Sequence, residues 1–196
     1  MANCLNQAAL DQLFSKSHSA HAFVHTDITD AQIKELYDLF KWAPTAFNAQ
    51  PARFIFVRSP EAKTKLKASL APGNVPQVES ASVTVIVAYD TKFYEQLPTL
   101  FPVYDAKPIF ENNPGLTEEA AFRNSAMQGA YVITAARAMG WDCGAMSGFD
   151  ATALNAAFFP DGQFKVNFLL NIGHADAAGI YPRNPRLTFE DAAQIL

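Results

Sequence analysis

Three sets of polar residues in this 196-residue chain have types and spacings that suit a ligand. In Lys41–Arg53, KWAPTAFNAQPAR, the Thr45 hydroxyl and the Asn48 and Gln50 amides lie between Pro44 and Pro51. Each proline fixes its own φ and turns the preceding residue away from helical angles, so the stretch is stiff. Amides donate and accept together, which suits a planar polar ligand, although an ordinary helix–strand connection has the same look. The second set is Ser17, His18, Ser19 and His21 near the start, joined in character by Arg183 and Arg186 of the tail. Hydroxyls, imidazoles and guanidinium groups suit a phosphate. A metal is disfavoured, because His18, His21 and His25 have no carboxylate or thiolate at ligand spacing. Nothing in the sequence brings the histidine segment and the arginine tail together.

The third set is the glycine-rich stretch Cys143–Asp150, CGAMSGFD. Gly140, Gly144 and Gly148 are spaced by four and GxGxxG is absent, which argues against a built-in Rossmann-type nicotinamide site. Ser147 is no hydrolase nucleophile by motif, since Ala145 stands where GxSxG requires glycine. The stretch reads as a tight loop, or as bare backbone that donates N–H groups to the edge of a ligand.

The elements that must position these groups are partly legible. Asn6–Lys16 has a helical apolar face. Thr29 or Asp30 caps a helix carrying Ile33, Leu36, Tyr37 and Phe40. Phe54–Arg58 reads as a buried strand, followed by a Lys-rich helix from Ser59 to Leu70 and a turn at residues 71–74. Val83–Tyr89 is nearly all apolar and β-branched, which predicts a central strand. Phe93–Gly115 reads as an irregular excursion with one short helix near its start. The longest helix is predicted from Thr117 to about Met139, stopped by Gly140. Its small residues Ala120, Ala121, Ala126, Gly129, Ala130, Ala135 and Ala136 invite close approach of another helix, inside the chain and at a dimer seam. Cys143–Asp150 follows as a loop, then a helix through Phe158, a strand over Lys165–Gly173, an extended tail and a short helix from Phe189. Helices outnumber strands and no regular βαβ order appears, so the class is α+β.

Composition narrows the function. Charged residues are few, and a net charge of −4 offers no basic field for nucleic acid. Cys4 and Cys143 make no disulfide framework, and the start lacks the basic and long apolar segments of a secretory signal, so a cytoplasmic setting is expected. No repeat or linker interrupts the chain, which reads as one domain over 1–196.

In order and at these separations, SHSAHAF, KWAPTAFNAQPAR, the Gly73-Asn74 turn, AMSGFD and RNPRL resemble the FMN-dependent nitroreductase family over nearly the whole length. FYEQLPTLFP, EEAAFRNSAMQGAY, MSGFD and PRLTFED resemble its malonic-semialdehyde-reductase-like branch. The resemblance implies a nitroreductase-like fold, a mostly antiparallel or mixed sheet flanked by helices, in an intertwined homodimer with two FMN sites at its interface. It implies that His18, Ser19 and His21 meet the phosphate and ribityl chain, with Arg183 or Arg186 as a second phosphate clamp. Thr45, Asn48 and Gln50 would line the flavin, and Asn74 would meet the ribityl or ring. Gln77 would lie near the N1–C2=O edge. Met146, Ser147 and Gly148 belong to a loop over the central ring, with the Ser147 N–H at N5. The implied activity is ping-pong hydride transfer from NADH or NADPH through N5 to a small aldehyde, such as a 3-oxo acid, or to a nitro or quinone acceptor. Phe47, Phe101, Phe110 and Phe122 are candidates for shaping the acceptor pocket.

Two departures from the family pattern matter. Positions 17, 18 and 21 are Ser, His and His where the family has Arg or Lys, so phosphate affinity is expected to fall as the histidines lose charge at higher pH. Gln77 replaces a common Lys, which predicts a lower flavin potential. The missing arginines leave open a flavin-binding protein without turnover, or an interaction dimer without FMN.

Overall fold

The structure is a computed structural model and describes residues 4–196. Its helices are α1 (Gln7–Leu10), α2 (Asp30–Phe40), α3 (Pro60–Lys67), α4 (Val75–Ser80), α5 (Leu97–Leu100), α6 (Lys107–Glu111), α7 (Pro114–Ala138), α8 (Ala151–Phe158) and α9 (Phe189–Ala192). The strands are β1 (Phe23–Val24), β2 (Ala52–Val57), β3 (Val83–Asp90), β4 (Asp142–Met146) and β5 (Phe164–Ala175). The α+β class holds, and every strand pair is antiparallel. Among the described residues no helix is long and apolar enough to cross a membrane.

All eight residues of β3 are buried, as an apolar β-branched run between two layers should be. Strand periodicity sends alternate residues to opposite faces. Val83, Val85 and Val87 join Leu36 and Phe40 of α2 and Val132 and Ala136 of α7. Ile86 and Ala88 join Leu66 of α3, Val78 of α4 and Leu154 of α8 on the other side. Each fully buried Val, Leu or Ile is worth about 1.5–3 kcal/mol, so β3 anchors both layers. A bulge opposite Val87/Ala88 skips Asn167, which moves Val166 of β5 to the α8 face.

The capping expectation resolves to Thr29, which forms a full capping box with Gln32. Helix α7 runs 25 residues from an Asn113 cap. Its small stripe serves the sheet more than a second helix: a Cβ on Gly129 would collide with the Phe168 ring, while Ala126 and Ala130 stay exposed. The N-terminal helix is shorter than its pattern suggested, because after Leu10 the chain widens into a π turn over Asp11–Ser15. The 93–115 excursion holds more helix than expected, a 3-10 turn at Phe93–Gln96 followed by α5 and α6.

The largest correction concerns Cys143–Asp150. Its first half is strand: β4 pairs residues 142–146 with 169–173 of β5. Glycine composition hid a strand that is glycine-containing because another backbone lies against it.

Candidate functional site

That neighbouring backbone is the histidine segment. The N–H of Ala20 donates to the Cys143 carbonyl at 2.9 Å on one side, and the His21 N–H donates to the Gly179 carbonyl at 3.0 Å on the other. A side chain on Gly144 would run into the Ala20 carbonyl, and one on Gly179 into the Ala22 amide, so both positions need glycine for close approach. Held alongside, the tail delivers Arg183, whose Nη2 donates to the carbonyls of Ser15 (2.8 Å) and Ser17 (2.6 Å). His18, Ser19, His21, Arg183 and Arg186 thereby line one cavity of about 430 Å³. The tertiary structure makes the convergence that the sequence left open. His25 is elsewhere, exposed beside Asp27.

A residue overlooked in the sequence joins them. Arg137, in the last turn of α7, lines the same cavity, and its Nη1 donates to the Leu13 carbonyl at 3.0 Å. In AARAMG it looks like an ordinary cation at a helix C-terminus, and no sequence signal ties it to residues more than a hundred positions away. Among the described residues no carboxylate lines the cavity. Guanidinium charge persists at any physiological pH, so the donor set fits a phosphate monoester without relying on the histidines.

Strand β4 leads from this cavity to the second cluster. Ser19 bridges to Cys143, and Ser147 lies four residues further, about 13 Å at strand rise. There the Asn74 side-chain amide donates to the Gly148 carbonyl at 2.8 Å, and the Ala71 N–H donates to the same oxygen at 2.9 Å. Ser147 and Gly148 are exposed, while Gln77 is half-buried on α4. Met146 departs from expectation: its side chain is in the core, where Sδ accepts from Asn171, so it can offer a ligand only backbone. Cys143 offers no nucleophile, because burial pushes its thiol up to about 12.

The third cluster stands apart. Phe47, Asn48 and Gln50 have φ of 55°, 49° and 41°, left-handed values that are uncommon outside glycine and often mark functional loops. The strained turn is held from within by Gln50 N–H donating to Thr45 Oγ1 (3.1 Å) and Gln50 Nε2 donating to Asn48 Oδ1 (3.0 Å). From outside, Asn48 Nδ2 donates to the Leu100 carbonyl at 2.9 Å. Thr45 borders an apolar cavity of about 620 Å³ with Phe47, Phe110, Leu116, Arg123 and Met127. Phe47, Phe101 and Phe110 do cluster edge to face here, whereas Phe122 meets Tyr89 edge to face elsewhere.

Sheet register measures the gap between the clusters. β2 is three strands from β4, and Ala52 is level with Lys165, four residues beyond the Leu169 that faces Met146. At ordinary strand spacing and rise the 45–50 loop is on the order of 20 Å from Met146. The chain therefore joins the first two clusters and not the third.

The family model described as Nitroreductase family matches residues 16–174, which span all three clusters except the tail arginines. This chain belongs to the nitroreductase family. A nitroreductase relative from Rhodopseudomonas palustris (strain TIE-1), provisionally named NADH dehydrogenase/NAD(P)H nitroreductase, is 56% identical over 196 residues, covering 100% of both chains. The Bacillus subtilis structure ydfN, provisionally described as a nitroreductase, superposes with a TM-score of 0.85 at 25% identity, covering 97% of this chain and 100% of that one. A similarly described structure from Exiguobacterium sibiricum 255-15, in complex with FMN, has a TM-score of 0.85 at 23% identity and covers 100% of both chains; it shares the nitroreductase fold.

Proposed function

We propose that this nitroreductase-family protein is an FMN-dependent NAD(P)H oxidoreductase with ping-pong kinetics, acting on a small aldehyde such as a 3-oxo acid, or on a nitro or quinone acceptor. One observation carries the reading: a carboxylate-free cavity lined by arginine and histidine lies one strand length from the exposed Ser147–Gly148 backbone. That separation suits a ligand with a phosphate at one end and a flat ring at the other. The FMN complex of the Exiguobacterium relative and the NAD(P)H nitroreductase designation of the Rhodopseudomonas relative support the same cofactors.

When bound, FMN supplies reversible two-electron hydride exchange at its N5. The chain's own residues bind and orient. Arg183, Arg186, His18 and His21 would hold the phosphate, and Ser19 would meet the adjoining oxygens. Asn74 keeps the 147–148 loop in place through the Gly148 carbonyl, where the Ser147 N–H would be available to the ring. Thr45, Asn48 and Gln50 present fixed polar groups, and the apolar cavity beside Thr45 shelters a reacting acceptor from water.

The roughly 20 Å between the 45–50 loop and Met146 supports a homodimer in which the partner's loop completes each site. A reading without FMN loses its main support, since the arginines absent from the first motif are supplied from elsewhere in the fold. The test is anaerobic. Purified protein should be yellow, NADH or NADPH should bleach the flavin band, and an aldehyde, nitroarene or quinone should restore it. Colourless protein that takes up no FMN would sink the proposal. Intersecting double-reciprocal plots would reject the ping-pong scheme, because two substrates using one site in turn give parallel lines.

A further inference from the structure

We propose that Arg137 is a third phosphate ligand, a permanent cation at the foot of the anion cavity that substitutes for the basic residue missing from the histidine motif. The inference rests on the flavin reading above. Three observations carry it.

The first is the distribution of ion pairs. Arg53 meets Asp90 at 2.6 Å, Arg58 meets Asp30 at 2.7 Å, and Arg123 meets Glu119. Among the described residues Arg137, Arg183 and Arg186 meet no carboxylate, and these same three line one cavity. In a chain of net charge −4, three unbalanced guanidinium groups in one place call for an anion from outside. The second is that the Nε of Arg137 is buried without a hydrogen-bond partner. A buried donor without a partner calls for an explanation, and a group bound beside the guanidinium would supply one.

The third is how it is held. Nη1 donates to the Leu13 carbonyl, while the Gln12 side chain donates to Arg137's own carbonyl at 2.7 Å. Arg183 grips the same turn from the other end, at Ser15 and Ser17. The turn over residues 13–17 thus spaces two guanidinium groups across the cavity. A planar fork fixed on one side is prepared to meet phosphate oxygens with its remaining N–H groups.

The experiment compares FMN with riboflavin, which lacks only the phosphate, by fluorescence titration of the full-length protein after bound flavin is removed. Wild type should bind FMN far more tightly than riboflavin. Arg137→Gln should weaken FMN binding by about tenfold or more, the cost of one charged hydrogen bond, and leave riboflavin affinity unchanged. Arg137→Lys, which keeps the charge without the fork, should recover part of the loss and guards against a Gln variant that folds poorly. A Gln variant that keeps the full wild-type preference for FMN overturns the role of Arg137 while leaving the flavin reading intact. Equal losses for FMN and riboflavin make Arg137 structural and overturn the inference as well. Equal binding of the two flavins by wild type would instead remove the phosphate reading itself, as expected of a cavity built for free inorganic phosphate.

Discussion

Asn124 Oδ1 accepts the backbone N–H of Ala46 at 2.8 Å, joining the middle of α7 to the strained loop 78 residues earlier. One turn further along the helix, Gln128 Oε1 accepts the N–H of Ala52 at 2.9 Å. Both side chains are only 5% exposed, so the loop is clamped at its two ends by buried amides. Asn124→Ala leaves a donor unpaired and should cost about 1–3 kcal/mol in urea denaturation. A midpoint equal to wild type would show that the clamp contributes nothing.

The left-handed backbone of Gln50 gives a prediction opposite to the usual rule. Alanine normally exceeds glycine in stability by about 0.5–1 kcal/mol. At φ 41° the order should reverse, with Gln50→Gly about 1 kcal/mol more stable than Gln50→Ala. Both variants lose the same amide, so thermal unfolding reads only the backbone. The ordinary ranking would mean that the loop relaxes without strain.

Gly144→Ala should separate the histidine segment from β4, because the new methyl meets the Ala20 carbonyl. We expect a loss of about 1–3 kcal/mol from overpacking, with weaker FMN binding. Gly73→Ala, with open space at its Cβ and no left-handed φ, serves as the control and should stay within about 0.5 kcal/mol of wild type. If the two variants melt together, close backbone approach does not explain Gly144.

Cys143 links stability to alkaline pH. Its thiol is raised from 9.0 to about 12 in the folded chain, chiefly by burial. The unfolded state therefore loses this proton first, and the folded state is favoured fully below about pH 9 and progressively less between 9 and 12. The loss amounts to about 1 kcal/mol by pH 10. Tyr89, raised by burial and by Glu118, adds a loss of the same sign at higher pH. Cys143→Ala keeps the Tyr89 effect and should show a shallower decline of stability from pH 8 to 10. Parallel declines would refute the assignment to Cys143.

Gln77→Lys should raise the flavin reduction potential, because an ammonium at the N1–C2=O edge stabilises anionic reduced flavin more than an amide does. Spectroelectrochemistry of both proteins gives the answer, and an unchanged or lower potential removes Gln77 from that edge.

Local chemistry decided what could be read from the chain in order. The nearly continuous apolar run of β3, the Thr29 cap, the length of α7 and the proline-bounded 44–51 loop each depend on neighbours close in sequence, and each appeared in the fold. The order of motifs along the chain resembles that of the nitroreductase family, to which the chain belongs. Tertiary structure decided the rest. β4 looked like a loop because its glycine is explained only by the Ala20 backbone more than 120 residues earlier. The side chain of Met146 turned inward because β4's pairing with β5 fixes its face. His18 and Arg183 share a cavity because two backbone segments flank residues 19–22. Arg137 acquired a place in the site only when the turn over residues 13–17 packed on the end of α7. Charge convergence is a property of three-dimensional position, and residue types along a chain do not encode it directly.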